Sequence, residues 1–343
     1  MRVLSLFDGM SCLQIALREH GFIVDKYYAS EIDKFAIKQT QHNFPDTIQL
    51  GSVTEWKTWD IDWSSIDLIG AGSPCQGFSF AGKQLAFDDP RSKLFFVFVE
   101  ILNYCKKFNP EVKFLLENVD MKKDHLRIIS EYVGIFPTKI NSDLVSAQNR
   151  ERWYWSNIRT KQIGLFDELY TDIPQPTDEG ILLRDILQPE SEVDKKYYLS
   201  PKMLSYLDKR TTKYAPPNIR DENGESSTIT VCNEGKSDSD MNLICVASRG
   251  RNPANTSDRR TGSPTEQRLE PKTNGKTNTL TSVAKDNLLT NGIILRRFSP
   301  LECSRLQTIP EWYEWVVSDS QIYRMLGNGW TVKVIEHIIS FYE

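Results

Sequence analysis

A chain of 343 residues, 39% hydrophobic and 26% charged, is globular in composition and long enough to bury a sizeable core without covalent staples. A net charge of −4 argues against an indiscriminate polyanion binder, and no apolar run is long enough to span a membrane. The six cysteines contain no C-x-x-C pair and the four histidines are isolated, so neither a disulfide framework nor a metal site is expected.

The opening "MRVLSLFDGMSC" lacks a long apolar segment with a small-residue cleavage site, so no secretion signal is expected and a reducing cytoplasm fits the free thiols. Residues 3–7 instead predict a strand, followed by a helix over 12–21 closed by Gly21. A second strand at 27–30 leads to a helix over 33–44 that stops at Pro45. Further strands are predicted at 66–70, 112–119 and 152–158, with a strongly apolar helix over 92–108 and another ending near 134. Strand–helix alternation implies an α/β fold with a doubly wound, mostly parallel sheet, whose ligands sit beyond the carboxyl ends of the strands.

Beyond about residue 165, Gly, Pro, Ser, Thr and Asn become frequent, and short β-like pieces occur at 227–232, 242–248 and 277–283. This predicts a second, smaller, irregular β-rich domain with a long loop at 250–267. From Arg249 to Arg297 there are ten basic residues and four acids, a local balance of +6 against about −10 for the rest. Such a segment is either a solvated loop region or a phosphate-contacting surface. A final helix is predicted over 333–342.

Four groups of residues carry chemistry. Phe7-Asp8-Gly9 forms a tight turn between strand and helix, where backbone N–H groups can hold an anionic group, and Glu31 stands where an acid commonly takes a ribose diol. Cys75 lies in Ser73-Pro74-Cys75-Gln76-Gly77, a loop at a strand's end rather than an apolar face, where a thiolate could act as nucleophile. Glu117-Asn118-Val119 closes the strand "KFLLENV", leaving a partly desolvated carboxyl suited to acid–base work. Gln148, Arg150 and Arg152 are spaced by two, so on an extended chain they share one face. Gly-x-Gly-x-x-Gly is absent, which disfavours a nicotinamide dehydrogenase.

In this order and spacing, and with Arg297-Phe298-Ser299-Pro300, Glu302, Arg305-Leu306-Gln307 and Gly327-Asn328-Gly329 following, the sequence resembles the DNA cytosine-5 methyltransferases of bacterial or phage type. The resemblance covers roughly 1–160 and 290–343 and is weak between. It implies a Rossmann-like catalytic and cofactor-binding domain at 1–164, a target-recognition domain at 165–290 and a return to the first domain at 291–343. It further implies Cys75 as the nucleophile on cytosine C6, Glu117 at N3, and Arg152 with Arg150 at the C2 oxygen of a flipped base. S-adenosylmethionine would meet Phe7, Asp8, Gly9, Glu31, Ile32, Ser52, Pro74 and Asn328. Double-stranded DNA would meet Gln76, Ser79, Gln148, Arg249, Arg251, Thr279 and Leu280. A monomer in the cytoplasm of a bacterial or phage-infected cell, with a cognate restriction endonuclease as a further partner, completes the expectation.

Three departures stand out. Ser11 replaces a common glycine, Leu13 adds bulk, and Ser52 stands where the family offers an acid to adenine, so weaker or altered donor binding is expected. Two alternatives stay open: RNA cytosine methylation on the same scaffold, and a DNA-binding protein without turnover.

Overall fold

The computed structural model describes residues 1–73, 90–164, 167–199, 244–252, 266–272, 274–282, 286–290 and 295–342. Pro74, Cys75, Gln76, Ser79, the loop at 76–89 and the β-piece predicted at 227–232 lie outside the described residues, as do the side chains of Arg249 and Arg251.

Strands β1 (Arg2–Leu6), β2 (Lys26–Ser30), β3 (Ile48–Gln49), β4 (Leu68–Gly72), β5 (Lys113–Val119), β6 (Thr138–Asn141) and β7 (Glu151–Ser156) form one sheet in the order β3-β2-β1-β4-β5-β7-β6. Pairs β1–β2, β1–β4, β2–β3 and β4–β5 are parallel, whereas β7 runs antiparallel to both β5 and β6. The order reverses at β1, so the carboxyl ends of β1 and β4 open a crevice, the usual ligand position in such sheets.

Side-chain alternation sends each strand into two cores. Val3, Tyr27, Ala29, Leu68 and Leu115 pack on one face, with Ile15 and Ala16 of α1 (Cys12–Glu19) and Ile335, Ile338 and Ile339 of α8 (Val332–Ile339). Leu4, Tyr28, Ile69, Phe114 and Leu116 pack on the other, under Phe95, Phe98 and Leu102 of α3 (Pro90–Phe108) and Ile129 of α4 (Lys123–Val133). Thus the chain's last helix closes the first domain. Helix α2 (Lys34–Asn43) is capped by Asp33, which accepts a hydrogen bond from the Phe35 N–H.

A second, antiparallel sheet has the order β11-β10-β12-β13, from β10 (Ile244–Arg251), β11 (Glu266–Pro271), β12 (Asn287–Thr290) and β13 (Leu295–Arg297). A hairpin of β8 (Thr160–Ile163) and β9 (Glu168–Thr171) precedes it. The strand predicted at 242–248 runs three residues further, to Arg251, and β11 begins in the last two residues of the loop predicted at 250–267. The piece predicted at 277–283 is not a strand in its described part: there, Thr277 makes one isolated parallel bridge, to Gln148.

The short helix α5 (Leu183–Ile186) lies between β9 and β10, α6 (Pro300–Leu306) follows β13, and α7 (Asp319–Asn328) precedes α8. Helix α6 starts with a full capping box: Ser299 caps the Glu302 N–H, Pro300 takes the first turn, and Glu302 accepts from the Ser299 N–H. The basic balance of the 249–297 segment is partly internal. Arg296 is fully buried against Glu302, and Lys276 donates to the carbonyls of Asp143, Ser146 and Ile181. These two cations stabilise the fold and do not extend a phosphate-binding surface.

Candidate active site

The turn after β1 bends by three left-handed residues, Phe7 (φ 58°), Gly9 (φ 60°) and Ser11 (φ 62°). Only glycine adopts this region at no steric cost, so Phe7 and Ser11 carry local strain. Hydrogen bonds offset it at Ser11, whose hydroxyl donates to Asp8 and meets the Thr40 hydroxyl at 3.1 Å. The serine in place of glycine is therefore held by its own side chain. Leu13 is equally well placed: a Cβ on Gly70 would lie 2.4 Å from its Cδ2, so the glycine in β4 makes room for the leucine.

Glu31 ties this turn to the end of β2. One carboxylate oxygen accepts from the Gly9 N–H at 2.8 Å, and the other from the N–H groups of Ile32 and Asp33 at 2.7 and 2.8 Å. With about four lone-pair sites on a carboxylate, one remains for a further donor. Ile32 beside it is 77% exposed, an unusual position for a large aliphatic side chain.

Asp8 accepts from the Tyr27 hydroxyl at 2.8 Å and from Ser11. Burial pushes its carboxyl up to about 6, against the opposing pull of the Ser11, Ser5 and Tyr27 hydroxyls and with a smaller push from Glu31. A raised native value means a stability contribution complete below the unfolded value near 3.8 and lost as pH rises through 6. Denaturant unfolding at pH 5 and pH 8 is expected to show wild-type protein losing about 1 kcal/mol relative to Asp8→Asn over that interval. Equal pH dependence of the two proteins would contradict the assignment.

Phe7, Asp8, Gly9, Glu31, Ser73, Glu117, Arg150, Arg152, Asn328 and Trp330 all border one cavity of about 390 Å³. Ser52 is not in its wall; the hydroxyl caps the short 3₁₀ helix Val53–Thr58, accepting from the Thr54 N–H. Glu117, on β5, is 8% exposed. One of its carboxylate oxygens lies 3.0 Å from Arg152 Nε, and the other accepts from the indole N–H of Trp330 at 3.0 Å. The cross-strand pairing of β5 with β7 sets Val119 opposite Arg152, which brings the guanidinium to the end of β5. Asn118 reaches the Ser73 carbonyl and hydroxyl at 3.4 Å, fixing the chain where β4 ends.

The other members of the predicted set have different surroundings. Arg150 is 3% exposed and donates to the carbonyls of Leu280, Gly327 and Gly329 at 3.1, 3.1 and 2.8 Å. Burial, with Arg152 alongside, pushes its guanidinium down to about 10. Gln148 is fully buried; its amide donates to the Leu306 carbonyl and accepts from the Leu280 N–H. Thr279 donates to the Asn149 carbonyl, and Leu280 is 7% exposed. Gln148, Arg150, Thr279 and Leu280 therefore form the joint between the two sheets. Spacing by two put Gln148, Arg150 and Arg152 on one face but did not reveal that most of that face is interior.

Sequence reasoning overlooked Trp330. The signal was present: Gly70 and Gly72 in β4 mark a close approach by something large, and Trp330 directly follows Gly327-Asn328-Gly329. Arg324 was missed as well, although it borders the cavity and pairs with Asp33 at 3.0 Å. Cys12, Cys105 and Cys303 are buried, and burial raises their thiols, to about 12 for Cys12 and about 11 for Cys105. No helix among the described residues is long and apolar enough to cross a membrane.

Comparison with known proteins agrees with this architecture. A family model described as C-5 cytosine-specific DNA methylase matches residues 1–341. Similar proteins include the Type II methyltransferase M.HpaII of Haemophilus parainfluenzae, 31% identical over 346 residues, covering 97% of this chain and 86% of that protein. The Type II methyltransferase M1.ScrFI of Lactococcus lactis subsp. cremoris is 30% identical over 357 residues, covering 98% and 76%. In fold, the chain is similar to the S. pombe Dnmt2 methyltransferase, with a TM-score of 0.58 at 20% identity over 99% and 97% of the two chains. A Spodoptera frugiperda DNMT2 mutant gives a TM-score of 0.59 at the same identity over 99% of both chains.

Proposed function

We propose that this chain, which belongs to the C-5 cytosine-specific DNA methylase family, is a site-specific DNA cytosine-5 methyltransferase using Cys75 as nucleophile on an extruded cytosine. The observation that carries this reading is the pairing of Glu117 with Arg152 in the wall of a cavity that also contains Ser73. Cys75 is two residues beyond Ser73, a span of at most ~7 Å along the chain. The raised thiols of Cys12, Cys105 and Cys303 suit packing rather than attack.

Cytosine C5 is too weak a nucleophile to be methylated unaided. The Cys75 thiolate adds to C6, its electron pair forming the S–C6 bond while the ring electrons move to C5. Glu117 holds N3 and supplies a proton that neutralises the ring as they do so. Arg152 polarises the C2 oxygen, where negative charge grows during addition. After C5 gains its methyl group, a water or hydroxide takes the C5 proton, and the C5–H electrons re-form the C5–C6 double bond. The C6–S pair leaves with Cys75 as thiolate, and N3 returns its proton to Glu117. Arg150 and Gln148 hold the joint that keeps this wall in place. A base within a stacked duplex cannot reach such a cavity, so the target cytosine must be flipped out.

S-adenosylmethionine, when bound, supplies the electrophilic methyl group. The residues present suit it. The open turn at Gly9 has nothing within 4 Å of a notional Cβ, Glu31 retains acceptor capacity for a ribose, and exposed Ile32 offers an apolar face to adenine. Asp8 lies in the same wall as a counter-charge to the cationic end of the donor. Ser52 supplies no charge for the adenine amino group, so donor binding is expected to be weaker than micromolar, and calorimetric titration measures it. Ordinary micromolar affinity would remove that expectation.

Bisulfite sequencing of DNA from cells expressing the protein tests the function itself. 5-Methylcytosine at a fixed sequence is the expected result; unmodified DNA together with label transferred to RNA in vitro would move the substrate to RNA. A cognate restriction endonuclease, the context that the Type II names of the relatives suggest, belongs to the same proposal, as does a monomeric state.

A further inference from the structure

A glutamate carboxyl turns easily about its last torsion, which is broad and two-fold rather than staggered. Here each oxygen of Glu117 meets one cationic or donor-only group: Arg152 Nε at 3.0 Å on one, the Trp330 indole N–H at 3.0 Å on the other. The two come from different parts of the chain, β7 and the turn between α7 and α8.

The indole is itself tightly placed. A Cβ on Gly72 would lie 3.0 Å from its Nε1 and 3.4 Å from two ring carbons, so the ring rests on the glycine at the end of β4. The two glycines that flank Asn328 before it leave little or no room for a side chain of their own. A Cβ on Gly327 would lie 2.3 to 2.5 Å from the backbone of Thr281 and Ser282, and one on Gly329 would lie 3.0 Å from the Met325 carbonyl. Arg150 then grips the carbonyls of both glycines. A continuous set of contacts therefore runs from Arg150 through the glycine turn to Trp330 and on to Glu117.

We infer that Trp330 is a positioning residue for the Glu117 carboxyl, fixing its orientation so that it meets the ring nitrogen of the extruded base. This rests on the function proposed above. The indole N–H can only donate, so it holds its oxygen as an acceptor in either protonation state of the carboxyl. The C-terminal return segment thereby acts on the base as well as on the fold.

Trp330→Phe keeps an aromatic ring on Gly72 and removes only the N–H. The variant is expected to lose about tenfold in kcat, the size of one lost hydrogen bond to a charged group, with the S-adenosylmethionine Kd within twofold of wild type. A second readout needs no turnover. The Trp330 indole N–H resonance, assigned by its absence in Trp330→Phe, is expected to move when Glu117 is replaced by alanine. A kcat within twofold of wild type, a loss residing wholly in donor affinity, or an indole resonance unmoved in Glu117→Ala would overturn the inference. Wild-type protein without methyl transfer would instead sink the proposed function, and the indole resonance alone would then decide for or against the contact.

Discussion

Cys75→Ala is expected to abolish methyl transfer, with a fall on the order of 10⁴-fold or more, while affinity for donor and for duplex DNA stays within a few-fold of wild type. The split follows from the division of labour in the site. Phe7, Asp8, Gly9 and Glu31 border the part of the cavity proposed above to take the donor, and they do not depend on the thiol for their positions. Glu117 and Arg152 hold each other in the absence of any base. Removing the sulfur therefore leaves binding surfaces in place and takes away only the bond to C6, without which C5 stays unreactive. Steady-state transfer of a labelled methyl group, alongside calorimetry with the donor, separates the two effects. Residual turnover above one-hundredth of wild type would contradict the assigned role.

The second large effect concerns stability. Arg296 and Glu302 are both fully buried, and their contact is bidentate at 2.8 and 2.9 Å. Glu302 also accepts from the N–H groups of Ser299 and Gln188, at 2.8 and 3.1 Å. Glu302→Ala would leave an interior guanidinium with only Glu190, at 3.5 Å, as a charged partner among the described residues, and would remove the reciprocal half of the α6 capping box. The expected cost is about 3–5 kcal/mol, because a buried charge stripped of its partner is far worse than no pair at all. Urea unfolding of the two proteins measures it, and a difference below about 1 kcal/mol would contradict this role. Glu302→Gln, which keeps one acceptor oxygen, should lie between them.

The α/β core was legible because its strands are short apolar runs and its helices carry 3.6-residue periodicity, as in "VLSLF" and "SKLFFVFVEILNYCKKF". The antiparallel insertion of β7 between β5 and β6 was not legible, since strand order depends on tertiary pairing that periodicity does not encode. At the site, Glu117, Arg152, Glu31 and the Phe7-Asp8-Gly9 turn could be read because each sits at the end of a recognisable strand. Gln148 and Lys276 could not be placed: a polar side chain reads as exposed until its buried partners, here the Leu280 N–H and three carbonyls, come from more than ninety residues away in the chain. Arg296 misled for the opposite reason. Its partner Glu302 is only six residues distant, yet a charge count over 249–297 stops short of it.

Incubation with double-stranded DNA containing 5-fluorocytosine at the target position, in the presence of S-adenosylmethionine, tests the central claim most directly. Fluorine at C5 cannot leave as a proton does, so the S–C6 bond should persist. Denaturing electrophoresis is expected to show a protein–DNA adduct in wild type, which mass spectrometry places on Cys75 and which Cys75→Ala lacks. A protein that methylates ordinary DNA without forming this adduct, or whose adduct maps to another residue, would contradict the account.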